Sequence, residues 1–416
     1  MFNQNLDIRN FLKKLGVKDE YIDLRRQNLK KFFEIGFPSR KQEDWKFLDL
    51  SKIISEKIPN LKYINDEVFE NIDYKNNIQQ LGFNIRDYNH IIYVNGFIKT
   101  IDLTYEDNSK IQVLRNNTDK YEDDKSLAFL NNALLYDYIK LLVKDNYIFN
   151  KPLIIINVSN SQIINTNFNQ RIDIEIGKNS SFSIGDINLN NSRNNFFNFC
   201  KNINLNEGSI LKNYVLDPYE NANLTYSNTK IDLSKNSISE NFILSSGSNF
   251  SKNEILCNLN QEYSSAFING AINIDNDSKH EIRTKINHLS QNTKSYQLIK
   301  CALKNEAKAV YQGKIFVDAV AQKTDGYQSS KAILLDKETE FNAKPELEIY
   351  ADDVKCSHGS SSGNLDENKI FYLMTRGLNK NEAKKILLDG YFLEVIENIT
   401  DKEIKKISKI LLGIKE

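Results

Sequence analysis

Cysteine, proline and net charge are all scarce in this chain of 416 residues: four cysteines, five prolines, and 55 lysines and arginines balanced by 55 aspartates and glutamates. Cysteines at 200, 257, 301 and 356 are too few and too scattered for a disulfide framework, which implies a reducing, cytoplasmic setting. The charges are interspersed, with no basic stripe to neutralise a row of phosphates, so nucleic acid is excluded as the main partner. No segment reaches the ~18–20 consecutive apolar residues of a membrane helix, and the opening MFNQNLDIRNFLKKLG carries acids and no apolar core of signal-peptide length. There is no GxxxxGK[ST] loop, since Gly313-Lys314 lacks its upstream half, and no ATP site is expected.

What is present is a change of hydrophobic period along the chain. From Asn5 to about Gly36 the spacing is helical, through Ile8, Phe11, Leu12, Leu15, Tyr21, Ile22, Leu29 and Phe32, and predicts two helices ended by Gly36 and Pro38. Residues 37–150 are mixed, with an extended run HIIYVNGF at 90–97 and a helical pattern over Ser126–Ile139. From about Lys151 to Tyr350 short alternating runs such as RIDIEIG, KIFVDAV and ELEIYA are punctuated by Asn, Ser, Asp and Gly. Such runs fit a sandwich or a stacked solenoid, and a β-helix absorbs two hundred residues more naturally than a sandwich does. The many asparagines suit stacked strands, although a coding bias would produce them equally well. After Tyr350 helical signals return: Asp366 as a cap with Gly377 as a stop, Asn379 with Glu382 and Thr400 with Glu403 as capping boxes, and a final stripe Ile404, Ile407, Leu411 and Ile414. A terminal stripe of this kind packs on its own domain or docks a partner. The division expected is 1–150 as an N-terminal helical and mixed region, 151–357 as a β-helix core and 358–416 as a C-terminal helical region.

Groups able to do chemistry concentrate in residues 307–378. In an extended strand residues i and i+2 share a face, so Cys356 and His358 project together if KCSHG is a strand. Thiolate and imidazole suit zinc, copper or iron-sulfur clusters. Two ligands do not close a tetrahedral site, and a buried structural cysteine beside a surface histidine has the same sequence. Three other readings stay open: a four-thiolate site from Cys200, Cys257, Cys301 and Cys356, which has no CxxC knuckle; a Cys/His nucleophile pair; and an acid cluster at Asp352 and Asp353, as in β-helical carbohydrate-active enzymes.

The run AVYQGKIFVDAVAQKTDGYQSSKAILL, followed by AKPELEIYADDVKCSHGSSSGNLDENKIFYLMTRGL, resembles the signature of the SufB/SufD family of iron-sulfur cluster assembly proteins. GFPSRKQEDWKFLDL at 36–50, YVNGF at 93–97 and KINHLSQNTKSYQLIKCAL at 285–303 extend the resemblance over most of the chain. The KCSHG form is similar to the SufD branch, and the CEH form of SufB is absent. GSSSG replaces the family's GAT on what is expected to be a turn.

The resemblance implies a mainly β chain: a right-handed parallel β-helix flanked by N- and C-terminal helical regions. It implies a non-enzymatic scaffold that pairs with SufB through the β-helix, holds the ABC-type ATPase SufC on its C-terminal helices, and works with a cysteine desulfurase system and acceptor apoproteins. His358 would help hold a transient iron-sulfur cluster shared with the partner subunit, and Cys356 would be its neighbouring thiol. A SufB-like subunit, with Cys356 as the essential thiol, is the alternative within the family.

Overall fold

The computed structural model describes residues 8–69, 74–79, 81–115, 125–190, 192–217 and 221–414. The chain is mainly β, a parallel β-solenoid of about eight turns with helices at both ends. Each turn contributes one strand to each of two sheets. Among the described residues one sheet has ten strands and the other nine, each running in steps of two through the chain order once past its first strands. Pairings beyond the first turns are parallel and, apart from a shift between Asn221 and Leu224, in register, so side chains stack in columns along the axis.

Strand alternation divides each sheet into an inner and an outer face. The inner faces meet in one apolar core of stacked isoleucines, leucines and valines, including Ile155, Ile184, Ile243, Ile268, Ile286 and Ile299. The outer faces are covered by helices. The helices at Asp19–Ile35 and Ser126–Leu134 pack Ile22, Leu29, Phe32 and Leu130 against Phe196, Leu224 and Phe250 of the nine-stranded sheet. Helices Lys380–Ile396 and Lys402–Leu411 place Phe392, Val395, Ile404 and Ile407 on Ile154, Ile187, Leu216 and Leu244 of the ten-stranded one. The final apolar stripe therefore packs on its own chain.

The tiers are joined at one corner by residues in the left-handed region. Asn146, Asn179, Gly208, Asn236, Tyr263, Asn292 and Lys323 all have φ between 52° and 69°. Amides here donate to the next tier, as from Asn146 to the Lys178 carbonyl at 2.7 Å and from Asn292 to the Gln322 carbonyl at 2.9 Å. Asparagine enters this conformation more readily than other non-glycine residues, which gives its abundance a structural use.

The N-terminal helices are Arg9–Lys14 and Asp19–Ile35, the second stopped by Gly36 at φ 78°; Asn5 and Leu6 lie outside the described residues. The run at 90–97 is the first arm and turn of a hairpin, Asn89–Val94 with Phe97–Asp102. Its turn residues Asn95 and Gly96 both have positive φ, as a two-residue type I′ turn requires. The pattern at 126–139 is helix only to Leu134; Tyr138–Val143 is a strand paired with Asn167–Ile176, because apolar Tyr138, Ile139 and Leu141 extend the sheet rather than a helix. The final helix is capped by Asp401, which accepts from the amides of Glu403 and Ile404, and not by Thr400. Asp366 and the Asn379/Glu382 box cap their helices as expected.

Candidate functional site

GSSSG is no turn: KCSHGSSSG is a strand, Lys355–Gly363, the terminal member of the ten-stranded sheet. Serine and glycine have little intrinsic preference for a strand, so pairing decides the conformation here. The segment lies in register along Asp325–Leu334, with Cys356 opposite Gly326, His358 opposite Gln328 and Ser360 opposite Ser330. Gly326, Gln328 and Ser330 are buried and face the core, so Cys356, His358, Ser360 and Ser362 form the inward row of the last turn. No strand of the described residues covers that row. His358, Ser360 and Ser362 are exposed while Cys356 is half-buried.

Cys356 packs with Ile315, Val317, Ala321, Leu347 and Ala351 in a small cluster that closes the apolar core beneath it. Burial raises the thiol pKa, the amide of Gly326 lowers it, and the carboxylate of Asp325 raises it again, the net shift being upward. Gly326 leaves a gap: a side chain there would stand 3.4 Å from both the Cys356 Sγ and the Ser295 Oγ. Cys356 and His358 lie on one face, about 7 Å apart by strand rise.

No third histidine, cysteine, aspartate or glutamate completes a metal-holding group with them among the described residues. The donor set is of the right softness for an iron-sulfur cluster and is incomplete by itself. The four cysteines do not converge. Cys257 and Cys301 are sealed in the apolar core, where burial pushes both thiols up, the environment of inert structural cysteines. Asp352 and Asp353 are exposed on the bend before the terminal strand, and Asp353 spends its backbone carbonyl on the amide of Lys323. That arrangement is a solvated corner rather than an acid/base pair.

A second feature follows directly after the terminal strand. Asp366 caps helix Glu367–Thr375, accepting from the amides of Asn368 and Lys369, and Gly377 at φ 95° follows it. Ile370 is buried, while Phe371 (68 % exposed), Tyr372 (57 %) and Met374 face outward, and Ile386 on the next helix is exposed as well. Aromatic and methionine side chains gathered in the open mark interaction surfaces. Apolarity all round IFYLM was the available sequence signal, and the helical pattern alone did not separate its two faces. Sequence reasoning also missed Gln328, buried beside His358 in register, and Tyr311, buried in the other sheet; the alternation of DGYQSSK, once anchored by the inward Gly326, would have pointed Gln328 inward.

Residues 156–391 match the family model described as SUF system FeS cluster assembly, SufBD core domain. The chain is 26 % identical over 395 residues to the iron-sulfur cluster assembly protein SufD of Escherichia coli (strain K12), covering 92 % of this chain and 90 % of that one. It is 29 % identical over 123 residues to the SufD protein of Bacillus subtilis (strain 168), covering 30 % of this chain and 28 % of that one. The corresponding protein of Plasmodium falciparum (isolate 3D7) is 27 % identical over 249 residues, 57 % of this chain and 16 % of that one.

Proposed function

The chain belongs to the SufBD family of iron-sulfur cluster assembly proteins, most like its SufD members, and on that premise we propose that it is a non-catalytic scaffold subunit supplying half of a cluster-holding site. The observation that carries the proposal is the open last turn: Cys356 and His358 stand in an inward-facing row that the described residues leave uncovered. The unpaired edge of strand Lys355–Gly363, beside that of Glu340–Ile349 in the other sheet, suits end-on addition of a second β-helix, the SufB-type partner. Exposed edges are otherwise an aggregation liability, which favours a constitutive partner.

A scaffold must release what it binds. A ligand set divided between two subunits, with one imidazole in place of a thiolate, holds a nascent cluster less tightly than a closed four-thiolate site and responds to protonation. His358, on the exposed rim, is the primary ligand in this reading. Cys356, turned into the last apolar cluster, is the accessory thiol. The ATPase partner docks on the patch of Phe371, Tyr372, Met374 and Ile386, within the region 358–416.

Anaerobic co-expression with SufB-type and SufC-type partners, followed by iron and sulfide analysis, tests the site. His358→Ala should lower cluster loading by about ten-fold or more and Cys356→Ser should do less. Normal loading in His358→Ala refutes the reading, and a larger effect of Cys356→Ser moves the chain to the SufB-like alternative. For ATPase docking, removal of 366–416 would strip the cover from Ile154, Ile187 and Leu244 and confound binding with unfolding. Phe371→Ala and Tyr372→Ala avoid this; each should weaken ATPase co-purification by about ten-fold or more, and undiminished binding by the double variant would exclude the patch.

A further inference from the structure

We propose that Gln328, held by Tyr311, positions the imidazole of His358, an assignment that rests on the reading of His358 as a cluster ligand. Register places Gln328 directly beneath His358 and Gln297 beneath Gln328, after which the column returns to Ile268. Both amides are fully buried. Two glutamines inside a core lined largely by isoleucine and leucine are unfavourable for folding alone, since a buried polar group left unpaired destabilises the fold, and Gln297 Nε2 has no partner among the described residues.

The amide of Gln328 is fixed at both ends. Its Nε2 donates to the Glu346 carbonyl across the core at 3.2 Å, and its Oε1 accepts from the Tyr311 hydroxyl at 3.4 Å. That hydroxyl also lies 3.3 Å from Gln297 Oε1 and 3.3 Å from the Thr284 hydroxyl, so four polar side chains share one centre. Space for it is made by Gly313, where any Cβ would collide with both Gln328 Oε1 and the Tyr311 hydroxyl. His358 stands next to Gln328 in the last turn.

A histidine ligand is oriented by what its second ring nitrogen meets. Gln328 retains one N–H and one lone pair beyond the bonds above, so it can serve either imidazole tautomer from directly below. A hydrophobic residue in its place would leave the ring free to rotate, and ring rotation is what a half-site meeting a second subunit must avoid.

The test is a double-mutant cycle in the complete complex with both partner types. Gln328→Met keeps an unbranched side chain of similar reach but removes the amide. It should leave thermal unfolding of the chain and partner co-purification unchanged, yet speed loss of iron to a chelator by about ten-fold. In the His358→Ala background the same substitution should have no further effect. Tyr311→Phe, which frees the amide without deleting it, should give a smaller change in the same direction and serves if Gln328→Met does not fold. Equal iron loss in the two backgrounds, or none in either Gln328→Met or Tyr311→Phe, overturns the inference. If His358→Ala lowers loading and Gln328→Met does not, only the positioning role fails; if His358→Ala has no effect, the ligand reading fails and the positioning role with it.

Discussion

Strands Lys294–Leu303 and Lys355–Gly363 stand in the same sheet, two tiers apart, with their side chains in the same columns. Column by column, Ser295 gives way to Cys356, Gln297 to His358, Ile299 to Ser360 and Cys301 to Ser362. The first strand has a neighbour on either side and its inward residues are buried; the second has one neighbour and its inward row is mostly exposed. The difference shows that a solenoid chooses its inward residues by whether a further tier arrives. Where the core continues, Ile299 and Cys301 fill two of these columns; where it stops, Ser360 and Ser362 replace them, and Cys356 and His358 stand where buried Ser295 and Gln297 stood. The same backbone geometry thus serves stability in one place and display in the other.

The largest expected effect is in the closed tiers and is set by pH. His280 receives the Ser245 hydroxyl on Nδ1 at 2.8 Å and gives Nε2–H to the Ser248 carbonyl at 2.5 Å; burial holds its pKa down at about 4. Burial does the same to His288, also to about 4. A histidine whose folded pKa lies below its unfolded value of 6.5 loses stability as pH falls from about 6.5 to 4, by about 3 kcal/mol each. Asp217 acts in the opposite sense: burial raises its pKa to about 6 against 3.8, with the Ser248 hydroxyl pulling it back, so its contribution is present at low pH and lost as pH rises through 6. Together the three groups predict a net loss of about 3 kcal/mol between pH 7 and pH 4. Asp217→Asn removes the counterweight and should roughly double that loss to about 6 kcal/mol in urea titrations. An unchanged slope would mean that these tiers admit water, and the contrast with the open turn would weaken.

Next comes truncation in matched columns. Ile299→Ala should cost about 3 kcal/mol, through lost burial and the cavity left behind. Ser360→Ala, on the same column two tiers on, removes the exposed acceptor of a 3.0 Å bond from buried Ser330 and should cost about 1 kcal/mol. Denaturant midpoints of the isolated chain decide it. Comparable costs would show that the last turn is as well packed as the middle.

Part of this contrast was legible in the sequence. Alternation from RIDIEIG to ELEIYA exposed the strands because both sheets keep a strict period of two, and length favoured stacking over a sandwich. The pairing of Cys356 with His358 on one face followed from the same period. GSSSG was not legible as a strand, since Ser and Gly carry no strand preference of their own and the conformation is imposed by Asp325–Leu334 beside it. Nor was the end of the helix at Leu134, where apolar residues run on through Tyr138 and Ile139 while the backbone has turned extended. The contacts that fasten residues 44–45 were equally hidden: Lys252, fully buried on Glu281, donates to the Asp44 carbonyl and lies 4.4 Å from the Trp45 ring, and Arg283 pairs with Asp44, uniting residues some two hundred positions apart.

The smallest expected effect contrasts a closed corner with the open one. At the corner ladder Tyr263 holds φ 60°, where other tiers place asparagine or glycine, and Lys323 is the other bulky exception. The left-handed conformation costs a side chain such as tyrosine about 1 kcal/mol, and the Tyr263 ring is 53 % exposed, so packing offsets little of it. Tyr263→Asn should therefore stabilise the isolated chain by about 0.5–1 kcal/mol, measured as a rise in the urea midpoint at constant slope. Asp353 occupies the equivalent corner of the last tier, accepting the Lys323 amide at 2.6 Å, but it does not enter the left-handed region and has no tier above to align with. Asp353→Gly should then bring no gain, and a loss of a few tenths of a kcal/mol from added chain entropy is expected. If Asp353→Gly stabilised the chain as much as Tyr263→Asn, the last corner would share the strain of the closed ones, and the idea that the chain relaxes its stacking rules in the final turn would not survive.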